Sequence, residues 1–306
     1  MRVAETGTRA GLKNILFATD FTPEANAALS YAGELAQRVG AKLYALHVKE
    51  MPNYALPPEA WRSVDQACET NAKELRKILR VEFPTLESDV LIEEGNVWQG
   101  VVTAACKNKI DLVVVGTEGR TGAGKLLLGS QAEEILRHVA CPVLVIGPHS
   151  RMKTWSEGAP AEFLYATDFG PDSQTAARFA ISLAEDFHGH LTLLHVIATP
   201  RTGELVHATE LATSSERKLR ELIHEEDKSQ CKPQYIVEEG APAEKILEIA
   251  EGIHADVIVL GVHDPTGIPG AATHLPIAVA HKVISHANCP VLAIHTSHVK
   301  KVEARA

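Results

Sequence analysis

Gly116-Thr117-Glu118-Gly119, nine intervening residues, and then Gly129-Ser130 are the residues of this chain best suited by type and spacing to hold an anion. They follow the apolar, β-branched run Leu112-Val113-Val114-Val115 and precede a helical pattern from Gln131 to His138. A strand, a long glycine-rich loop and a helix start together make a phosphate cradle. Glycine lets the backbone approach an anion closely, and the first N–H groups of a helix have no intrahelical acceptor. Within the loop, Gly119-Arg120-Thr121-Gly122-Ala123-Gly124-Lys125-Leu126 fits G-x-x-x-x-G-K, but Leu126 stands where a P-loop needs Ser or Thr for Mg²⁺. The chain then runs through Leu127-Leu128 to another Gly-Ser instead of entering a helix, so the P-loop reading fails. Arg120 and Lys125 are the cations of this loop; either one of them reaches a terminal phosphate or both are solvated loop charges.

The elements that must position this loop occur twice. Ala18-Thr19-Asp20-Phe21 returns as Ala166-Thr167-Asp168-Phe169, Leu46-His47-Val48 as Leu194-His195-Val196, Glu93-Glu94-Gly95 as Glu238-Glu239-Gly240, and Cys141-Pro142-Val143-Leu144 as Cys289-Pro290-Val291-Leu292. Identical islands in the same order mean an internal repeat at about half the chain length. The stretch Gly147 to Pro160, rich in Gly, Pro, Ser and charge, reads as the linker, which places one domain at 1–150 and a second at 158–300.

In the first copy, strands are expected at Asn14–Ala18, Lys42–Val48, Val90–Glu93, Leu112–Gly116 and Val143–Ile146. Helices are expected at Pro23–Val39, Glu59–Val81, Val97–Lys107 and Gln131–His138, with Pro23 in a first turn and Gly40 as a C′ glycine. The second copy repeats the pattern, with strands near 162–166, 190–196, 234–238, 257–261 and 291–295. Strand–helix alternation with nearly continuous apolar strands gives an α/β fold: a five-stranded, doubly wound parallel sheet in each copy, covered on both faces. Ligands of such sheets bind beyond the carboxyl ends of the strands. Asp20, Val48 and the glycine loop all fall on that rim, so one ligand could touch a carboxylate, an apolar wall and an anion cradle. A purine nucleotide has the matching parts.

On these residues the chain resembles the universal stress proteins (UspA type), in a tandem two-domain form covering nearly its whole length. Gly116, Gly119, Gly129 and Ser130 satisfy the family's ATP-binding pattern G-x-x-G-x₉-G-[ST] at every position. The resemblance implies Rossmann-like (HUP) domains and bound ATP, with or without Mg²⁺. It implies that Ala18, Thr19 and Asp20 flank adenine and ribose, and that Val48 packs on the base or bonds it through its backbone. Gly116 and Gly119 would then lie along the ribose and α-phosphate, while Gly129, Ser130 and the Gln131 N–H take the outer phosphates. It implies, too, that the fifth strands of the two copies, apolar and otherwise bare at a sheet edge, pair across a two-fold axis as an intramolecular pseudo-dimer; dimerisation of whole chains stays open.

The second copy departs from this pattern. Gly261-Val262-His263-Asp264 carries Asp264 at the second glycine, and Ile277-Ala278 replace Gly129-Ser130, with Pro269 and Pro276 in a longer loop. A carboxylate there repels a phosphate, so this half is expected not to bind ATP in the family's way. Twelve of the 15 histidines fall after the linker, including His263, His274, His281 and His286. Their spacing fits no metal-ligand motif, and they read as ordinary surface and core residues, with His47 and His195 structural.

Composition narrows the remaining options. A chain of 306 residues, 45% hydrophobic and 23% charged, builds two ordinary globular cores. Its net charge of −9, without a basic stripe, argues against a nucleic-acid partner. No apolar run is long enough for a bilayer, and the first residues lack a signal-peptide core, so a cytoplasmic location without membrane contact is expected. Five cysteines without C-x-x-C spacing fit a reducing compartment; Cys141 and Cys289 read as small buried residues, Cys68 and Cys231 as exposable ones. The functional expectation is an ATP-binding regulatory or stress-response protein acting on protein partners that the sequence does not identify. The alternatives are a slow ATPase or phosphotransferase, for which Glu118 is the loop's one carboxylate, and a scaffold that needs no nucleotide.

Overall fold

The computed structural model describes residues 11–50, 58–117, 129–151, 160–170, 173–198, 208–223, 233–262 and 277–294. In the first half these form β1 (Asn14–Thr19), α1 (Pro23–Val39), β2 (Lys42–Lys49), α2 (Pro58–Glu82), β3 (Ser88–Glu94), α3 (Val97–Lys107), β4 (Leu112–Gly116), α4 (Ser130–His138) and β5 (Val143–Ile146). The second half repeats the order with β6 (Glu162–Thr167), α5 (Ser173–Asp186), β7 (His190–Ile197), α6 (Ala208–Glu221), β8 (Gln234–Glu239), α7 (Pro242–Gly252), β9 (Val257–Gly261), α8 (Ile277–His286) and β10 (Val291–Ile294). Where an expected element differs, the end moves by one or two residues. β3 starts at Ser88 because the backbone ladder with β2 (Leu43↔Ser88) continues past the apolar run.

The local signals act as their chemistry requires. Thr22 caps α1 by accepting the Ala25 N–H, Pro23 occupies the first turn, and Gly40 closes the helix at φ 68°, a left-handed conformation that glycine adopts without cost. Asn96 caps α3 through the Trp98 N–H. Asp111 and Asp256 staple strand starts: Asp111 accepts from the Lys13 and Asn14 N–H groups at 2.8 and 3.0 Å, and Asp256 accepts from the Glu162 N–H at 2.8 Å.

The strands make one ten-stranded sheet, ordered β3-β2-β1-β4-β5-β10-β9-β6-β7-β8. Every pairing within a half is parallel; the junction between halves, β5 with β10, is antiparallel and centred on Leu144 opposite Leu292. The two copies therefore sit back to back within one chain. One face of the sheet is covered by α1, α2, α5 and α6, whose Leu35, Leu79, Leu183 and Leu219 join Leu144 and Leu292 in a single core. The other face is covered by α3, α4, α7 and α8, where Val101, Ile135, Ile246 and Val283 pack with Val143, Val145 and Val291. Both cores cross the junction. The linker is tied down beyond it: the Arg151 N–H donates to Asn288 O at 3.0 Å, and Tyr31 Oη donates to Arg151 O. No helix among the described residues is long and apolar enough to cross a membrane.

Candidate functional site

At the carboxyl ends of β1, β2 and β4 the first half opens into a cleft of about 690 Å³. Its floor and walls include Ala18, Thr19 and Asp20 after β1, Val48 at the end of β2, Gly116 at the end of β4, and Gly129, Ser130 and Gln131 at the start of α4. Eight of the ten residues singled out from the sequence thus meet around one space. The other two, Gly119 and Arg120, lie outside the described residues, as do Glu118 and Lys125.

The turn after β1 is built to present a carboxylate. Phe21 adopts φ 66°, a left-handed conformation that costs a non-glycine residue on the order of 1–3 kcal/mol and needs surroundings that enforce it. Those surroundings are present. The Phe21 N–H donates to Thr19 Oγ1 at 3.0 Å, and the ring lies 4.5 Å from the His47 ring. His47 Nδ1 sits 2.9 Å from Thr19 O, which only accepts, so the nitrogen carries the proton. Asp20 Oδ1 accepts from the Thr22 N–H and from Thr22 Oγ1 at 3.0 and 2.6 Å; Oδ2 has no protein partner among the described residues. One carboxylate oxygen is anchored and the other is left without a partner among the described residues, at the edge of the cleft. The Thr19 hydroxyl accepts from Phe21 and keeps its own proton to donate.

The opposite end suits an anion. α4 begins at Ser130 with Gly129 as N-cap (φ −57°, ψ 143°) and no side-chain cap, so its first N–H groups have no acceptor among the described residues. A β-carbon added at Gly129 would meet nothing within 4 Å, which leaves space directly beside those donors. The middle of the cleft is apolar. Val48 is buried against α3, where Gly100 permits the contact: a β-carbon at Gly100 would lie 2.7 Å from Val48 Cγ2.

One wall was not foreseen. Val64, Ala67, Cys68 and Asn71 of α2 line the cleft, and Val64 owes its 36% exposure to this position. Cys68, read from sequence as exposable, is buried here, and burial pushes its thiol pKa up. Lys49, with its side chain only 7% exposed, donates to Asp65 of α2 and to Glu94 of β3, clasping the helix to the sheet at the mouth of the cleft. The bond to Asp65, then that to Glu94, holds the ammonium pKa above its ordinary value.

A family model for the universal stress proteins matches residues 11–147 and again residues 162–295. The chain belongs to the universal stress protein family. Universal stress protein MJ0531 of Methanocaldococcus jannaschii is 33% identical over 138 residues, 44% of this chain and 81% of that relative. A universal stress protein of Mycolicibacterium smegmatis matches over 302 residues at 24% identity, covering 92% of this chain and 96% of its own. The solved structure of a universal stress protein from Archaeoglobus fulgidus shares the fold at a TM-score of 0.70 and 19% identity, over 92% of this chain and 96% of that one.

In this universal stress protein the second half keeps the carboxylate turn and alters what surrounds it. Phe169 repeats the left-handed conformation at φ 61°, its ring lies 4.3 Å from the His195 ring and tilted by 32°, and its N–H donates to Thr167 Oγ1. Burial lowers the His195 pKa. Here, however, Thr167 Oγ1 donates to Ser173 Oγ at 3.0 Å, and Ser173 Oγ donates on to Gly170 O, so the hydroxyl that stays available at Thr19 is consumed. Lys218 of α6 stands 5.3 Å from the Phe169 ring centre. α8 starts at Ile277, where α4 has its glycine cap, and Ala278 has no hydroxyl to offer. Asp264, His263 and His274 lie outside the described residues; His281 and His286 are on α8. Among the described residues no group of three or more His, Cys, Asp or Glu is placed to hold a metal ion.

Proposed function

We propose that the first half, residues 1–150, binds one ATP in the β1–β2–β4 cleft and that the protein acts as a nucleotide-dependent regulatory module. The observation that carries this reading is convergence. A carboxylate with one free oxygen (Asp20), an apolar wall (Val48) and an uncapped helix start beside an empty glycine position (Gly129–Gln131) face one cleft of about 690 Å³. That volume falls in the range of ~300–1,000 Å³ typical of ligand pockets. Asp20 and Thr19 bind the nucleoside hydroxyls, Val48 packs against the base, and Ser130 with the N–H groups of Ser130 and Gln131 binds phosphate oxygens. Gly119 and Arg120 complete the phosphate side. Bound nucleotide changes the surface around the Gly116–Gly129 loop, and protein partners read that change.

The second half, residues 158–300, binds no ATP in this mode. Its helix start carries Ile277-Ala278, and its threonine hydroxyl is already engaged. The test is to denature the purified protein after incubation with Mg-ATP and count released nucleotide. About one adenine nucleotide per chain is expected. Two per chain would overturn the reading of the second half, and none would overturn the reading of the first.

A further inference from the structure

The α2 wall adds chemistry that the phosphate end of the cleft does not supply. Val64, Ala67, Cys68 and Asn71 recur at helical spacing, and all four line the cleft. Asn71 is the one strong hydrogen-bonding group in that stripe. Its side chain is exposed and has no hydrogen-bond partner among the described residues. Of the other polar side chains on this side of the cleft, Thr22 Oγ1 donates to Asp20 and Lys49 Nζ to Asp65 and Glu94, while His47 Nδ1 donates to Thr19 O, which leaves its Nε2 able only to accept. Glu50, also at the cleft, can only accept.

Topology places Asn71 at the end far from the phosphates. α2 packs on β3 and β2, whereas α4 follows β4, and β1 lies between β2 and β4. Two strand spacings, ~10 Å, therefore separate the α2 side of the cleft from the helix start that faces phosphate. A nucleotide laid along this rim, with its phosphates at Ser130 and its ribose at Asp20, brings its base to α2.

We propose that Asn71 is a specificity-determining residue that hydrogen-bonds the edge of the nucleobase, an assignment that rests on the nucleotide reading of the cleft. Asn71 Oδ1 accepts from the exocyclic amine of adenine while Nδ2 donates to the neighbouring ring nitrogen, the complementarity that lets an Asn carboxamide read adenine elsewhere.

The test compares binding of ATP and of purine riboside triphosphate, which lacks the exocyclic amine, by calorimetry on the full chain and on Asn71→Ala and Asn71→Asp. Both substitutions are at an exposed position, and thermal melts check that the fold is kept. Wild type is expected to prefer ATP by about tenfold. Asn71→Ala binds both triphosphates equally, near the wild-type affinity for the analogue. Asn71→Asp keeps an acceptor for the exocyclic amine but sets a second acceptor against the ring nitrogen, so both triphosphates bind more weakly while the preference for ATP remains. A purely structural role would lower all affinities together and leave the Asn71→Ala ratio at its wild-type value, which overturns the proposal. Wild-type protein that binds ATP in a Gly129-dependent manner without preferring it to the analogue overturns the assignment of Asn71 alone. Wild-type protein that binds neither triphosphate overturns the nucleotide reading together with it.

Discussion

Gly129→Glu separates folding from binding and gives the sharpest test of the phosphate end. The residue sits at φ −57°, ψ 143°, a conformation open to any L-amino acid, and a β-carbon there meets nothing within 4 Å. Replacing an N-cap glycine with a poorer cap costs several tenths of a kcal/mol to about 1. Restricting the unfolded chain returns about 0.4–1 kcal/mol, and a carboxylate at a helix N-terminus adds about 0.3–1 kcal/mol. These terms nearly cancel, so the melting temperature stays within a few degrees of wild type. Binding behaves differently. Each hydrogen bond to a charged group contributes about 1.5–3 kcal/mol, so losing one weakens affinity about 10- to 150-fold. The new carboxylate adds repulsion of about 4 kcal/mol per phosphate charge at ~4 Å and an effective dielectric of ~20. Calorimetric titration with Mg-ATP should therefore show at least a hundredfold loss, with Gly129→Ala intermediate. A Gly129→Glu protein that melts like wild type and binds ATP with wild-type affinity would refute the placement of phosphate at α4.

Other perturbations report on the scaffold. Gly33→Ala drives a β-carbon to 2.1 Å from the Phe83 ring; overpacking of about 1–3 kcal/mol exceeds the ~1 kcal/mol helical gain, so denaturant melts should show a net loss near 1 kcal/mol. Unchanged stability would mean that the ring swings clear. Because burial lowers the His195 pKa, the unfolded chain takes up this proton first as pH falls below about 6.5. The contribution of His195 is therefore full above that value and declines below it, and His195→Gln should flatten the stability–pH curve between pH 5 and 7; an unaltered slope rejects the assignment. Of the described cysteines, exposed Cys106 should react first with a thiol reagent; Cys141, read from sequence as buried but only half-buried here, should react more slowly because its pKa is pushed up to about 12, chiefly by burial. Mass-spectrometric mapping of the labelled sites checks the order.

Much of this molecule is legible in its residue order because its strands are short apolar runs whose period leaves no alternative. Leu112–Gly116 and Val143–Ile146 can only be buried strands, and the repeated Ala-Thr-Asp-Phe island marks the same turn in both halves. Residues that follow strands are carried to the rim by topology, which is why Asp20, Val48 and Gly129 could be brought together before any coordinates. The α2 wall could not. The core stripe of α2, Ala72, Leu75 and Leu79, is what its periodicity announces. Val64, Cys68 and Asn71 meet the cleft only because of where α2 crosses β2 and β3, a long-range fact with no local signature. The Lys49–Asp65–Glu94 clasp is hidden for the same reason, and the left-handed Phe21 because nothing in an aromatic side chain marks a positive φ.

The antiparallel meeting of β5 and β10 has a consequence for how the two halves can change. In an assembly of identical subunits every substitution appears on both sides of the axis, so a loss at one site is a loss at both. Joining the halves covalently makes their association intramolecular and independent of dilution. It also lets each side vary alone, since Leu144 and Leu292 face one another from different codons. The first half can then keep an open cleft while the second trades glycine for isoleucine at its helix start, with the shared apolar junction untouched. A single chain can thereby carry two unlike faces across one shared junction, at any concentration.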